Sequence, residues 1–236
     1  RGIVMARGKR YTEALEGFDR DKAYTIEEAV ELLKSFPERK FDQTIELSLH
    51  LGIDGRQADQ ILRGTVMLPN GTGKDIRVLV ITQGELVKEA EQAGADFVGG
   101  ADMVAKIEGG WLDFDLVVAS PDMMGQVGKL GRVLGPRGLM PNPKTGTVTR
   151  DVGQAVKEAK AGRIEYRADS KSGNNAQAPI GKLSFDAAAL VENAKAFTDA
   201  IIRAKPASSK GQFVRKCVLS AAMGPGIKID RSQLAA

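Results

Sequence analysis

RVLVITQGELVKEAEQAGADFVGGADMVAKIEGGWLDFDLVVAS, Arg77 to Ser120, decides how the middle of this chain folds. It contains three short apolar runs: RVLVI (Arg77–Ile81), DFV (Asp96–Val98) and DLVVAS (Asp115–Ser120). A helical pattern follows each, at Glu85–Ala93, Ala101–Ile107 and Asp122–Leu134. Strands that are apolar throughout and alternate with helices predict a parallel sheet covered on both faces. The middle of the chain is therefore expected to form an inserted Rossmann-like, three-layer α/β domain.

Outward from that stretch the pattern changes. Phe41–Leu51 alternates, with Ile45, Leu47, Leu49 and Leu51 on one face and Asp42, Thr44, Glu46, Ser48 and His50 on the other. This is the signature of a half-buried antiparallel strand, whose polar side is either a solvated surface or a binding platform. RIEYR (Arg163–Arg167) and Phe213–Leu219 return to the same style after the insertion. Helices are expected at Arg10–Phe18, Thr25–Ser35, Asp151–Ala161 and Phe185–Ala204, the second opened by Thr25 and Glu28 at capping-box spacing. The outer stretches predict one discontinuous α+β domain, a split β-α-β arrangement on an antiparallel sheet. Its expected boundaries are 1–68 with 162–236, and the inserted domain takes 69–161. Two chain crossings favour hinge motion over free tumbling.

Composition narrows the function. Hydrophobic content of 42% with 27% charge is ordinary for a globular protein. No apolar run approaches the roughly 20 residues of a spanning helix, so no membrane is expected. Arg1–Arg10 is basic without the apolar core of a secretory signal, and no export is expected. Cys217 is the only cysteine, which excludes an internal disulfide and any multi-cysteine metal site; FVRKCVLS reads as a packed strand. Residues 1–68 hold 11 Lys+Arg against 12 Asp+Glu, residues 69–161 hold 11 against 12, and residues 162–236 hold 12 against 6. The positive excess is C-terminal, so a polyanionic partner belongs on the outer domain.

Enzyme signals fail one at a time. In GTGKD (Gly71–Asp75) the first glycine of a phosphate-binding loop would fall at Leu68, and Lys74 precedes Asp rather than Ser or Thr. No strand runs into a GxGxxG turn; GQVGKLG (Gly125–Gly131) lies in a helical pattern. His50 is the only histidine, which removes His-based triads and imidazole clusters. Asp113 and Asp115 flank a strand entrance with no nucleophile or base in sequence reach. No catalytic residue, metal, cofactor or small-molecule substrate is expected. Two rival readings stand beside a structured-RNA partner: a Rossmann-like enzyme on a phosphorylated small molecule, and a non-selective RNA chaperone.

The segment LGPRGLMPNPKTGTVT (Leu134–Thr149) follows the last of these helices and spends three prolines and three glycines on one loop. It reads as shaped rather than slack, with Gly135, Gly138 and Gly146 supplying unusual backbone angles. Its only charges are Arg137 and Lys144.

With LPNGTGK (Leu68–Lys74), GGADMV (Gly99–Val104), DFDLVVASPDMMGQVGKLGRVLGPRGLMPNP (Asp113–Pro143) and MGPGIKID (Met223–Asp230), this loop resembles the large-subunit ribosomal stalk protein family of the bacterial type. The resemblance implies a non-enzymatic ribosomal protein whose discontinuous domain binds large-subunit ribosomal RNA. The RNA-binding positions it implies are Lys40, Phe41, Thr44, Glu46, Asp169, Lys171, Ser220, Met223 and Gly224, with Arg137 and Lys144 as a secondary RNA contact. Lys40 and Lys171 suit phosphates, the hydroxyls and carboxylates suit ribose and base edges, and Met223 with Gly224 suits close apolar approach. Phe41 shares the parity of Ile45 and Leu47, and core packing is its alternative. The resemblance further implies help in releasing tRNA from the exit site, repression of the protein's own mRNA, and a ribosome of bacterial cytoplasm, chloroplast stroma or mitochondrial matrix. Two departures stand out: Ala222 replaces a threonine of the family's turn, and DSKSGNNAQAP (Asp169–Pro179) is longer and more polar than the family's turn.

Overall fold

The alternating segment becomes β1 (Thr44–Leu51), with Ile45, Leu47, Leu49 and Leu51 fully buried. Each such side chain contributes roughly 2 kcal/mol relative to an exposed one, which fixes the strand's register as well as its stability. The computed structural model describes residues 8–37, 39–55, 57–169 and 174–234. Contacts divide the chain into two compact units, one of Arg1–Gly73 with Ile164–Ala236 and one of Lys74–Arg163.

In the first unit β1 lies between β7 (Asn175–Lys182) and β8 (Val214–Ala221), antiparallel to both. The helix α8 (Ala187–Arg203) joins β7 to β8, so the three strands and the helix make a split β-α-β unit. β2 (Arg63–Met67), β6 (Arg163–Asp169) and β9 (Ile227–Ile229) extend the sheet to six strands in the order β2-β6-β7-β1-β8-β9. One face is covered by α2 (Ile26–Ser35) and α8, whose buried Ile26, Val30, Leu33, Leu190 and Phe197 share a core with the inward side of β1. The N-terminal helix α1 (Lys9–Glu16) buries Ala14. The capping box of α2 is made in both directions: Glu28 N donates to Thr25 Oγ1 and Thr25 N to Glu28 Oε2, each at 3.1 Å.

The run Asp169–Pro179, read as longer and more polar than the family's turn and the strand after it, becomes from Asn175 a strand at the middle of the sheet. Its inward residues are Ala176, Ala178 and Ile180, small enough that the apolar alternation was faint. Pro179 is tolerated because the register shifts there: Glu46 faces Pro179 while Ile45 faces Gly181, a bulge where the missing N–H costs little.

The second unit is built on a three-stranded parallel sheet of β3 (Val78–Ile81), β4 (Phe97–Gly99) and β5 (Leu116–Ala119), in the order β4-β3-β5. Val78, Val80 and Val118 pack with α3 (Leu86–Gln92) and α7 (Val152–Lys160). Leu79, Ile81, Val117 and Ala119 pack on the opposite side with α4 (Ala101–Glu108) and the short helices α5 (Met124–Val127) and α6 (Gly131–Leu134). The proline loop after α6 is ordered by its own side chains. Asn142 Oδ1 accepts from Lys144 N at 2.8 Å, Thr147 Oγ1 accepts from Asn142 N at 2.8 Å, and Arg163 Nη2 donates to Thr145 O at 2.7 Å. Gly138 and Gly146 have φ of 72° and 65°, which only glycine adopts readily, whereas Gly135 sits at an ordinary helical −58°. The loop then runs along β5, with Ala119 N donating to Thr147 O and Thr149 N to Ala119 O.

Candidate nucleic-acid interface

Because helices back one side of the six-stranded sheet, the polar residues of its strands emerge together on the other. Glu46 stands opposite Ser220 on β8 and Pro179 on β7, and Thr44 stands opposite Lys182. Lys182 Nζ donates to Thr44 Oγ1 at 2.8 Å. Thr44, Glu46, Lys182 and Ser220 therefore form one cluster of acceptors, hydroxyls and an ammonium, with Glu46 exposed and the others half-buried.

At the edge of this cluster the chain turns after β8 through Ala222, Met223 and Gly224. Four hydrogen bonds hold the turn. Ala222 N donates to Thr44 O at 3.0 Å and Gly224 N to Ala221 O at 3.0 Å. Met223 N donates to the buried side chain of Gln43 at 3.2 Å, and Arg39 Nη2 to Met223 O at 3.4 Å. Gln43 also accepts from Leu183 N at 2.8 Å, tying the entry of β1 to both neighbouring strands. The Met223 side chain is left 54% exposed, so it does not plug the strand end.

Phe41 is 51% exposed, which removes the core-packing alternative that its parity allowed. The reason is local: β1 starts only at Thr44, and between Phe41 and Gln43 the backbone has not taken up the two-residue period. Lys40 and Phe41 line an open cleft of about 480 Å³ with Arg39, Asp42 and Ser184. Arg39 also borders a second open cleft, of about 710 Å³, that lies against Met223 and the start of α1.

The structure thus brings Lys40, Phe41, Thr44, Glu46, Ser220, Met223 and Gly224 to one end of the open face. Asp169 is elsewhere. It pairs with Asn175, which faces His50, six residues along β1 from Thr44 and so about 20 Å away. His50 Nδ1 and Asn175 Oδ1 are 2.9 Å apart. Lys171 lies outside the described residues. Arg137 and Lys144 are exposed on the second unit, in a stretch, 123–150, that holds five cations and no carboxylate.

Three residues at the site escaped the sequence reading. Arg39 and Gln43 sit at the entrance of β1, and Lys182 ends β7, whose apolar alternation is faint, so no periodicity marked them. Elsewhere, Asp115 is not a solvated strand entrance: it bonds Lys74 Nζ at 2.8 Å and Arg77 Nε at 3.1 Å, and chiefly the Lys74 bond lowers its pKa to about 2. Cys217 is buried, and desolvation pushes its thiol up to about 12. Among the described residues no three His, Cys, Asp or Glu side chains converge as a metal site, and no helix is long and apolar enough to cross a membrane.

The arrangement suits a partner that meets a rigid polar sheet bordered by cations and two exposed apolar side chains, which is how folded RNA is recognised. A family model matches residues 33–225 of the 236, from within α2 to the turn after β8. On that match the chain belongs to the ribosomal protein L1p/L10e family, non-enzymatic structural proteins of the large ribosomal subunit that bind ribosomal RNA.

Proposed function

We propose that the open face of the discontinuous domain, residues 1–68 with 162–236, grips the stalk region of large-subunit ribosomal RNA, and that 69–161 is carried on it as an inserted Rossmann-like domain. Lys40 and Lys171 meet phosphates; Thr44, Glu46, Asp169 and Ser220 bond ribose and base edges; Phe41, Met223 and Gly224 pack against the RNA surface. Arg137 and Lys144 supply a secondary contact. Through that stalk the protein helps release tRNA from the exit site, and when free it binds and represses its own mRNA. Its ribosome is that of a bacterium or an organelle.

The observation that carries this reading is the exposure of Phe41 and Met223 at the same end of the sheet as Thr44, Glu46 and Ser220. Two large apolar side chains left in water beside a row of hydrogen-bonding groups mark a surface that is covered in use. Footprinting tests it. The full chain should protect one stem-loop junction of large-subunit ribosomal RNA, and the double variant Thr44→Val, Glu46→Gln should lose that protection. Unchanged protection by the variant would remove this face from the interface.

A further inference from the structure

The cleft of about 710 Å³ against Met223 falls within the roughly 300–1,000 Å³ of small-ligand sites, and its walls are of two kinds. Lys9, Arg10 and Arg39 supply three cations, and no carboxylate lines it. Tyr11, Ala222 and Met223 supply aromatic and apolar surface. None of the three cations has an ion-pair partner among the described residues.

Their placement runs against the chain's own interest. Lys9 and Arg10 occupy the first turn of α1, which contains no acidic residue, so they add positive charge to the positive end of a helix dipole. Arg39 adds a third, held half-buried by its bond to Met223 O. Three cations gathered at one cleft, with no carboxylate among its lining residues, favour an anionic partner. The floor is as telling. Ala222 offers a methyl group beside Met223, an apolar surface for a flat object.

We propose that this cleft receives one unstacked nucleotide of the bound RNA, its base between Tyr11 and the Met223–Ala222 floor and its phosphate on Lys9, Arg10 and Arg39. The inference rests on the RNA-binding reading of the sheet face. The two sites adjoin, since Arg39 also borders the cleft of Lys40 and Phe41. Bases extruded from loops and bulges stack on aromatic side chains in this manner, and such stacking needs no particular sequence.

Abasic substitution at each unpaired position of the stalk-junction RNA, measured with the full chain and its Tyr11→Leu variant, tests the proposal. One position should weaken wild-type binding by roughly 5- to 100-fold when its base is removed, the worth of one stacked base. Tyr11→Leu should lose a similar factor on intact RNA and nothing further on that abasic RNA. Losses that multiply at every position would show that no base occupies the cleft and would overturn the proposal. Arg10→Gln, an exposed substitution that keeps the fold, should reduce the slope of log affinity against log salt by about one; an unchanged slope would also overturn it. The sheet reading fails separately: Glu46→Gln without effect while Tyr11 and one base remain coupled would discard the sheet and keep the cleft.

Discussion

Gln43→Met removes one acceptor and keeps nearly all of the side chain's volume, so it isolates the hydrogen bond that fixes the Met223 turn. Gln43 is 4% exposed, and among the described residues its Oε1 accepts the Met223 N–H, at 3.2 Å. Leaving a backbone N–H without its partner costs about 1–3 kcal/mol, and because the bond is only part-buried the lower end applies, about 1 kcal/mol. For a unit of this size that corresponds to a fall of roughly 3 °C in Tm. The other three bonds of the turn remain, so the turn should loosen without unfolding, and Met223 and Gly224 should sample positions away from the Thr44–Ser220 cluster. The assay pairs urea unfolding with RNA affinity by filter binding. Stability should drop by about 1 kcal/mol and affinity by roughly 3- to 10-fold, the latter about 1 kcal/mol of lost preorganisation. A variant that loses the stability and binds RNA as tightly as the parent would refute the claim that the turn's geometry matters to the interface. A variant with unchanged stability would refute the hydrogen bond.

Other outcomes follow from the same geometry. Asp115 is held ionised by Lys74 and Arg77, so its contribution, about 1 kcal/mol after solvent screening, is complete above its usual pKa of 3.8 and disappears as pH falls toward about 2. Asp115→Asn should therefore be less stable than the parent at pH 7, with the difference shrinking as pH falls through about 2 and gone below it, measured by chemical denaturation; a difference that stays at its pH 7 size down to that range would contradict the assignment. Cys217 should resist thiol reagents at pH 8 in the native protein and react in denaturant, since it is 2% exposed and its thiol titrates near 12. Phe197→Ala should cost about 3–5 kcal/mol, because Phe197 is fully buried against Tyr166 at 6.0 Å between ring centres; the exposed Asp199→Ala should stay within about 0.5 kcal/mol.

What the sequence disclosed depended on periodicity. β1 was legible because four apolar residues at strict two-residue spacing are each large, and the same rows drive both burial and register. α2 was legible from Thr25 and Glu28, since a capping box is local chemistry that tertiary context seldom overrides. β7 was not, because Ala176 and Ala178 bury little area and Pro179 argues against a central strand unless the bulge opposite Ile45 and Glu46 is known. Phe41's core-packing alternative rested on parity carried beyond the end of the strand. At the candidate interface, Thr44 and Glu46 were accessible by alternation and by resemblance together and Ser220 by resemblance alone, whereas Arg39 and Gln43 sit in loop geometry that has no repeat. Asp115 looked like an exposed strand entrance because its partner Lys74 stands 41 residues away in sequence.

β1 sits between two strands that the ribosome makes more than a hundred residues later. During synthesis the parallel-sheet unit, whose contacts are sequential, has all its parts before β7 or β8 exists, while Ile45, Leu47, Leu49 and Leu51 have α2 but neither neighbouring strand nor α8 to cover them. Such long-range closure is slow and leaves a nascent apolar row exposed to chaperones. The six-stranded sheet therefore closes only after β8 has been made, and its open polar face takes shape later than the parallel-sheet unit does.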